Sequence, residues 1–135
     1  MTPPARAPLP TLDSSGLPAG YLFKPEFEIT PREIKAARDL RDPALVLIDC
    51  RTQEEWATAR IEGAALIPLD QIMARADEIQ ELAADESAIV AIHCHHGVRS
   101  LRAALALRQL GINAKSMAGG IDLWSIDIDP AVPRY

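Results

Sequence analysis

Two apolar runs constrain this chain more than any other feature of it. Ala44-Leu45-Val46-Leu47-Ile48 and Ala88-Ile89-Val90-Ala91-Ile92 are continuous and show no polar alternation. A run too short for a helix and apolar at every position reads as a strand covered on both faces, the kind found in parallel sheets flanked by helices. Each run ends in chemistry. The first passes into Asp49-Cys50-Arg51. The second passes into His93-Cys94-His95-His96-Gly97-Val98-Arg99-Ser100, which holds every histidine of the chain and one of its two cysteines.

The intervening segments supply the rest of an alternating pattern. Phe27-Glu28-Ile29 can form a short first strand. Thr30-Pro31-Arg32-Glu33 then offers an N-cap, a proline at the first helical position and a capping-box glutamate, predicting a helix from Pro31 to about Leu40. Thr52-Gln53-Glu54-Glu55 repeats the box and starts a short helix carrying Trp56. Ile61-Glu62-Gly63-Ala64 turns the chain into a third strand, Ala65-Leu66-Ile67. From Leu69 to Leu82 the apolar residues recur at three- and four-residue steps, an amphipathic helix with room for one break. After the second apolar run, Leu101 to Leu110 reads as a helix stopped by Gly111. Asn113 to Met117 is a fifth strand, Ala118-Gly119-Gly120 a glycine turn followed by one helical turn through Trp124, and Asp129 to Tyr135 a proline-punctuated tail. The expected fold is α/β, with about five mostly parallel strands and helices on both faces. Ligands of such sheets sit beyond the carboxyl ends of the strands, where both chemical segments fall.

The 135 residues suffice for one domain. Residues 1–27 are proline-rich and are expected to form an N-terminal arm, either poorly ordered or strapped along the surface of a domain spanning 28–135. A net charge of −5 leaves no general basic face for nucleic acid or an anionic membrane. Neither apolar run approaches the length that spans a bilayer, and Met1-Thr2-Pro3-Pro4-Ala5-Arg6 does not resemble a signal peptide. Two cysteines do not make a disulfide framework. A reducing, cytoplasmic setting is therefore expected.

Cys94 lies between a strand and a helix start, where unpaired backbone N–H groups and the positive end of the helix dipole favour a thiolate. Gly97 allows the loop to turn tightly. If the loop curls around the sulfur, successive N–H groups form an anion-holding nest, and Arg99 adds a permanent charge with a planar donor fork. His95 and His96 would rim such a pocket, while Ser100 caps the helix. Asp49 closes its strand and Arg51 is its natural partner, either as a structural pair or at the pocket rim. Cys50 reads as a small core residue or as a resolving thiol. Adjacent side chains in His93-Cys94-His95-His96 cannot all reach one ion and no second His/Cys group exists elsewhere, so neither a metal nor a cofactor is expected.

Taken together these segments resemble the single-domain rhodaneses, a family of sulfurtransferases. Cys94-His95-His96-Gly97-Val98-Arg99, followed by Ser100, is similar to that family's six-residue active loop. Asp49-Cys50-Arg51 resembles its aspartate-x-arginine signature, and Glu55-Trp56, Ile61-Glu62-Gly63-Ala64 and Ile67-Pro68 resemble the segment that follows. Gly119-Gly120-Ile121 through Trp124 is similar to its C-terminal signature. Arg60 departs from the pattern, standing where the family usually has histidine. The resemblance implies that Cys94 takes a sulfur atom as a persulfide from a sulfane donor such as thiosulfate and passes it to cyanide or a thiol. It also implies that the substrate is bound by His95, His96, Gly97, Val98 and Arg99, with Ser100, Asp49 and Arg51 in support. A protein that accepts the sulfur remains open as a further partner. The competing readings are a cysteine-dependent phosphatase or arsenate reductase, whose loop spaces cysteine and arginine by five residues where this one has four, and a rhodanese-like interaction module.

Overall fold

The computed structural model describes residues 8–85 and 87–135. Strands β1 (Glu28–Ile29), β2 (Leu45–Asp49), β3 (Ala65–Leu66), β4 (Ile89–His93) and β5 (Ala114–Met117) form one sheet in the order β1-β5-β4-β2-β3, with every neighbouring pair parallel. Strands β2 and β4 begin and end one residue later than the apolar runs. Their ladder runs from Leu45 opposite Ile89 to Asp49 opposite His93, drawing the first polar residue of each segment into the sheet.

Helices α1 (Pro31–Asp39), α2 (Gln53–Thr58), α3 (Ala76–Leu82), α4 (Val98–Arg108) and α5 (Gly120–Asp127) cover the sheet. Both capping boxes form: Thr30 with Glu33, and Thr52 with Glu55. The amphipathic stretch after β3 breaks into a 3-10 turn at Leu69–Gln71 and then α3. Two helices are longer than the sequence pattern predicts. α4 starts at Val98, because Gly97 adopts the left-handed conformation (φ 116°) and ends the loop early. α5 extends to Asp127, because Ile121 and Trp124 are buried against the sheet and Leu123 is buried with Leu17 and Ala118.

The two-residue side-chain period divides the core. Ile48, Val90 and Ile92 point to the face covered by Ile72, Ile79, Ala103, Ala104 and Leu107. Leu47 and Ala91 point to the other, against Ile34, Met117, Ile121 and Trp124. From β2 the chain moves outward to β3, whereas from β4 it moves the opposite way to β5. The switch point therefore lies between the carboxyl ends of β2 and β4, where a crevice opens.

Residues 8–27 form a strap, with an isolated antiparallel bridge between Leu12 and Pro18. Leu17, 3% exposed, packs on Ala118 and Leu123. The Tyr21 hydroxyl donates to Glu28 and the Arg32 guanidinium to Ser14 O. Residues 1–7 of the expected arm lie outside the described residues. Among the described residues, no helix is long and apolar enough to cross a membrane.

Asp49 and Arg51 form an ion pair with neither side chain exposed. Arg51 Nε donates to Asp49 Oδ1 at 2.9 Å and Nη2 to Oδ2 at 2.7 Å, while Nη2 also reaches Ala59 O at 2.5 Å. The pair thus ties the end of β2 to the end of α2. Removing one member strands a charge in the interior. Arg51→Met is expected to lower unfolding free energy in urea by about 3–5 kcal/mol, and Asp49→Leu added to it to recover part of that loss.

Candidate active site

Cys94 follows β4 directly and is 1% exposed. Its sulfur accepts from the Gly97 N–H at 3.1 Å and the Ser100 N–H at 3.4 Å, and the Ser100 hydroxyl lies 3.3 Å away. Ser116 Oγ, on β5, stands 2.7 Å from Ser100 Oγ. With Ser116 donating to Ser100, the Ser100 proton has two acceptors in reach, Gly97 O at 3.2 Å and the Cys94 sulfur at 3.3 Å, and an anionic sulfur is the stronger of them. The neighbouring Cys50 thiol above all, working against burial and with Ser100 and Gly97, brings the pKa of the Cys94 thiol down to about 4. Cys50 moves the other way: the neighbouring thiolate and burial push its thiol strongly up, so it stays protonated.

The loop is held from behind by α5. Ile121 N–H donates to Cys94 O at 2.8 Å and Asp122 N–H to His95 O at 3.2 Å. Gly120 makes this approach possible, since a Cβ there would collide with the carbonyl of His95. The glycine turn after β5 is therefore the seat on which the cysteine loop rests.

Arg99 is already partnered. Its Nη1 and Nη2 donate to Glu55 Oε1 and Oε2 at 2.6 and 2.9 Å, and Tyr135 OH donates to the same carboxylate at 2.6 Å. The Arg99 guanidinium, aided by Tyr135, holds the Glu55 carboxyl far below the usual carboxylate range. Tyr135 also accepts from Arg51 Nη1 at 2.9 Å and stacks on His95, ring centroids 4.0 Å apart and planes at 8°. His95 stacks on His96 in turn. Burial first and the neighbouring His96 second lower the pKa of the half-buried His95.

The sequence-predicted residues thus divide into two groups. Cys94, Gly97 and Ser100 converge on one sulfur atom, and His95, His96 and Arg99 surround them. The Val98 side chain points to solvent, 73% exposed. Asp49 and Arg51 stand behind the site, fully buried. Beside the loop a cavity of about 580 Å³ is lined by Cys50, Pro68, Leu69, Met73, Arg99 and Arg102. Three contributors were missed or undervalued in the sequence. Ser116 was detectable as the one hydroxyl inside an otherwise short core strand. Glu55 was visible as a capping residue and within the segment resembling the family, but not as the partner of Arg99, and nothing local to Tyr135 signals its contacts.

The family model for the Rhodanese-like domain matches residues 30–127. Over 110 residues the chain is 36% identical to "Probable adenylyltransferase/sulfurtransferase MoeZ" of Mycobacterium tuberculosis, covering 79% of this chain and 26% of that protein. The chain thus spans about a quarter of the length of that relative. A Rhodanese-like domain protein from Staphylococcus aureus superposes with a TM-score of 0.65 at 30% identity, covering 81% of this chain and 98% of that one. A thiosulfate sulfurtransferase from Pseudomonas aeruginosa superposes with a TM-score of 0.66 at 25% identity, covering 74% of this chain and 19% of that one.

An ordinary cysteine loses alkylation rate as pH falls below its pKa near 9. For Cys94 the rate with iodoacetamide, followed site by site by mass spectrometry, is expected to stay level from alkaline pH down through neutrality and to fall only as pH nears about 4. A rate that tracks an unperturbed thiol contradicts the stabilised thiolate.

Proposed function

The chain belongs to the Rhodanese-like domain family, and we propose that it moves a sulfane sulfur from a donor such as thiosulfate to a thiophilic acceptor through a persulfide on Cys94. One observation carries this reading: the Cys94 sulfur sits at the head of α4 and receives the Gly97 N–H, the Ser100 N–H and the Ser100 hydroxyl. These donors hold a thiolate ready to attack. They also remain in place when a second sulfur is added and the negative charge moves outward by one atom.

In the loading step the Cys94 thiolate attacks the outer sulfur of thiosulfate, the S–S bond of the donor breaks, and sulfite leaves with the electron pair. In the unloading step cyanide or a thiolate attacks the outer persulfide sulfur and Cys94 leaves as the thiolate. Arg99 attracts the anionic donor, competing with its bond to Glu55. His95 and His96 line the approach as stacked, flat rings. The four-residue gap between Cys94 and Arg99 makes a cradle for a single sulfur better than for a tetrahedral oxyanion, which sets sulfur transfer above phosphate or arsenate chemistry. An intact cysteine loop likewise favours catalysis over a purely docking role. The relative MoeZ is named as a sulfurtransferase, in agreement with sulfur transfer as the reaction class. Two unpaired thiols suit a reducing, cytoplasmic setting.

Anaerobic protein mixed with thiosulfate is expected to release one sulfite per Cys94 before any acceptor is added, and to form thiocyanate continuously once cyanide is present. Cys94→Ser should do neither. Absence of both products from the folded wild-type protein, with thiosulfate and with polysulfide as donors, overturns the reading. Arg99→Ala is expected to raise the KM for thiosulfate about tenfold or more, the worth of one charge-assisted hydrogen bond, with kcat changed less. Glu55→Gln keeps a capping-box side chain while releasing the Arg99 charge, so it should lower that KM several-fold. An unchanged KM in both variants would remove Arg99 from donor binding.

A further inference from the structure

Cys50 is a thiol beside the loop that this mechanism does not use. Three observations locate it. Strand β2 pairs with β4 so that Ile48 faces Ile92 and Asp49 faces His93, and the pairing continues one step further, since the Cys50 N–H donates to His93 O at 3.0 Å. Cys50 and Cys94 are thus the next residues in register. By the two-residue period both side chains continue the row of Ile48 and Ile92, and both belong to the core cluster on that face. Neighbouring strands run about 4.8 Å apart, inside the Cα separation of about 4.4–6.8 Å that a disulfide bridges. Both cysteines are nonetheless free. Finally, Cys50 lines the cavity of about 580 Å³ that also presents Arg99 and Arg102.

Resting on the sulfur-transfer reading above, we propose that Cys50 is a resolving thiol that discharges the Cys94 persulfide as hydrosulfide and closes a Cys50–Cys94 disulfide when no acceptor arrives. The step balances within the protein. The Cys50 sulfur attacks Cys94 Sγ, forming the Cys50–Cys94 bond. The bond between Cys94 Sγ and the outer sulfur breaks, its electron pair going to the outer sulfur. The Cys50 proton moves to that atom, which leaves as HS⁻ through the adjoining cavity. The sulfane sulfur is reduced to sulfide and the two cysteine sulfurs are oxidised to the disulfide, with no other oxidant.

The environment of Cys50 fits this task. In the unloaded protein it is a buried thiol, kept protonated by burial and by the anionic sulfur beside it, so it is a poor nucleophile toward outside reagents and stays in reserve. Once Cys94 carries the second sulfur, that proton has an acceptor which can leave. An external acceptor attacks the outer sulfur, whereas Cys50 lies beside the inner one, so the two reactions compete for the same intermediate from different sides. The persulfide therefore has a limited lifetime. A loaded protein without a customer converts to a disulfide form that takes no further sulfur until a dithiol reductant reopens it.

The test loads wild-type, Cys50→Ser and Cys50→Ala proteins anaerobically with one equivalent of polysulfide. Samples are then quenched in acid at intervals for intact-protein mass spectrometry, with sulfide measured in parallel. The two variants are expected to stay heavier by one sulfur atom. The wild type should pass through that mass and settle lighter than the reduced protein by two hydrogen atoms, with one sulfide released per disulfide. Its persulfide should disappear faster than that of either variant by an order of magnitude or more. A wild-type protein that keeps the extra sulfur as long as the variants, or whose extra sulfur maps to Cys50, overturns the proposal even if a variant folds poorly. Extra sulfur on none of the three proteins overturns the sulfur-transfer reading itself.

Discussion

The parallel ladder between β2 and β4 is the interaction on which the rest of the structure depends. It sets five residues of one apolar run against five of the other, and both strands are covered on both faces. Its register also decides what stands at the strand ends. Even-numbered residues of both strands form one row leading to the two thiols; odd-numbered residues form the other, leading to Asp49, Arg51 and His93. A slip of one residue in β2 would turn every one of its side chains over. It would bring the Asp49–Arg51 pair into the apolar cluster around Ile72 and Ile79 and move one thiol away from the other. The chemistry at the sheet end is thus fixed by core packing several residues below it.

The same geometry explains how an anionic sulfur survives almost complete burial. A charge removed from water needs compensation, and here the compensation comes from neutral donors: two backbone N–H groups, a serine hydroxyl and a thiol. The permanent positive charge of the loop, Arg99, is bound to Glu55 instead. A tight ion pair would trap the thiolate as an unreactive partner. Dipoles fixed by the start of α4 lower the cost of the charge and leave the sulfur able to attack. His93 shows the converse case. It is fully buried beside Asp49, and burial first of all drives its pKa down to about 4, so it packs as a neutral ring.

The parts of the structure that were legible in the sequence are those governed by local rules. Continuous apolar runs identified the central strands, because burial on both faces leaves no alternation. Thr30-Pro31-Arg32-Glu33 and Thr52-Gln53-Glu54-Glu55 marked two helix starts, because a capping box is complete within four residues. The loop around Cys94 was legible for the same reason: its N–H and hydroxyl donors come from the next six residues. The rest depends on pairings over long separations. Glu55 meets Arg99 from 44 residues away, and Tyr135 meets Arg51 from 84. A tail punctuated by prolines carries no period from which its docking could be read. The final helix was underestimated because its burial comes from the sheet beneath it, not from any amphipathic stripe of its own.

Glu55 shows how a residue placed for folding comes to govern a site. As the third residue of α2 its carboxylate accepts from the Thr52 N–H, which fixes the start of that helix. The same oxygens accept from Arg99 and Tyr135. One carboxylate therefore links a helix cap, the positive charge beside the cysteine loop and the end of the chain. Its pKa lies far below the usual range, so the link holds at any pH where the protein works. The charge that Arg99 can offer to an incoming anion is then set by competition: a donor gains Arg99 only to the extent that it matches the bidentate geometry Glu55 already provides. A planar carboxylate matched to a planar guanidinium is a demanding competitor, and a donor with two or three oxygens around one sulfur can meet it where a single-atom anion cannot. Selectivity at this site begins with a capping residue.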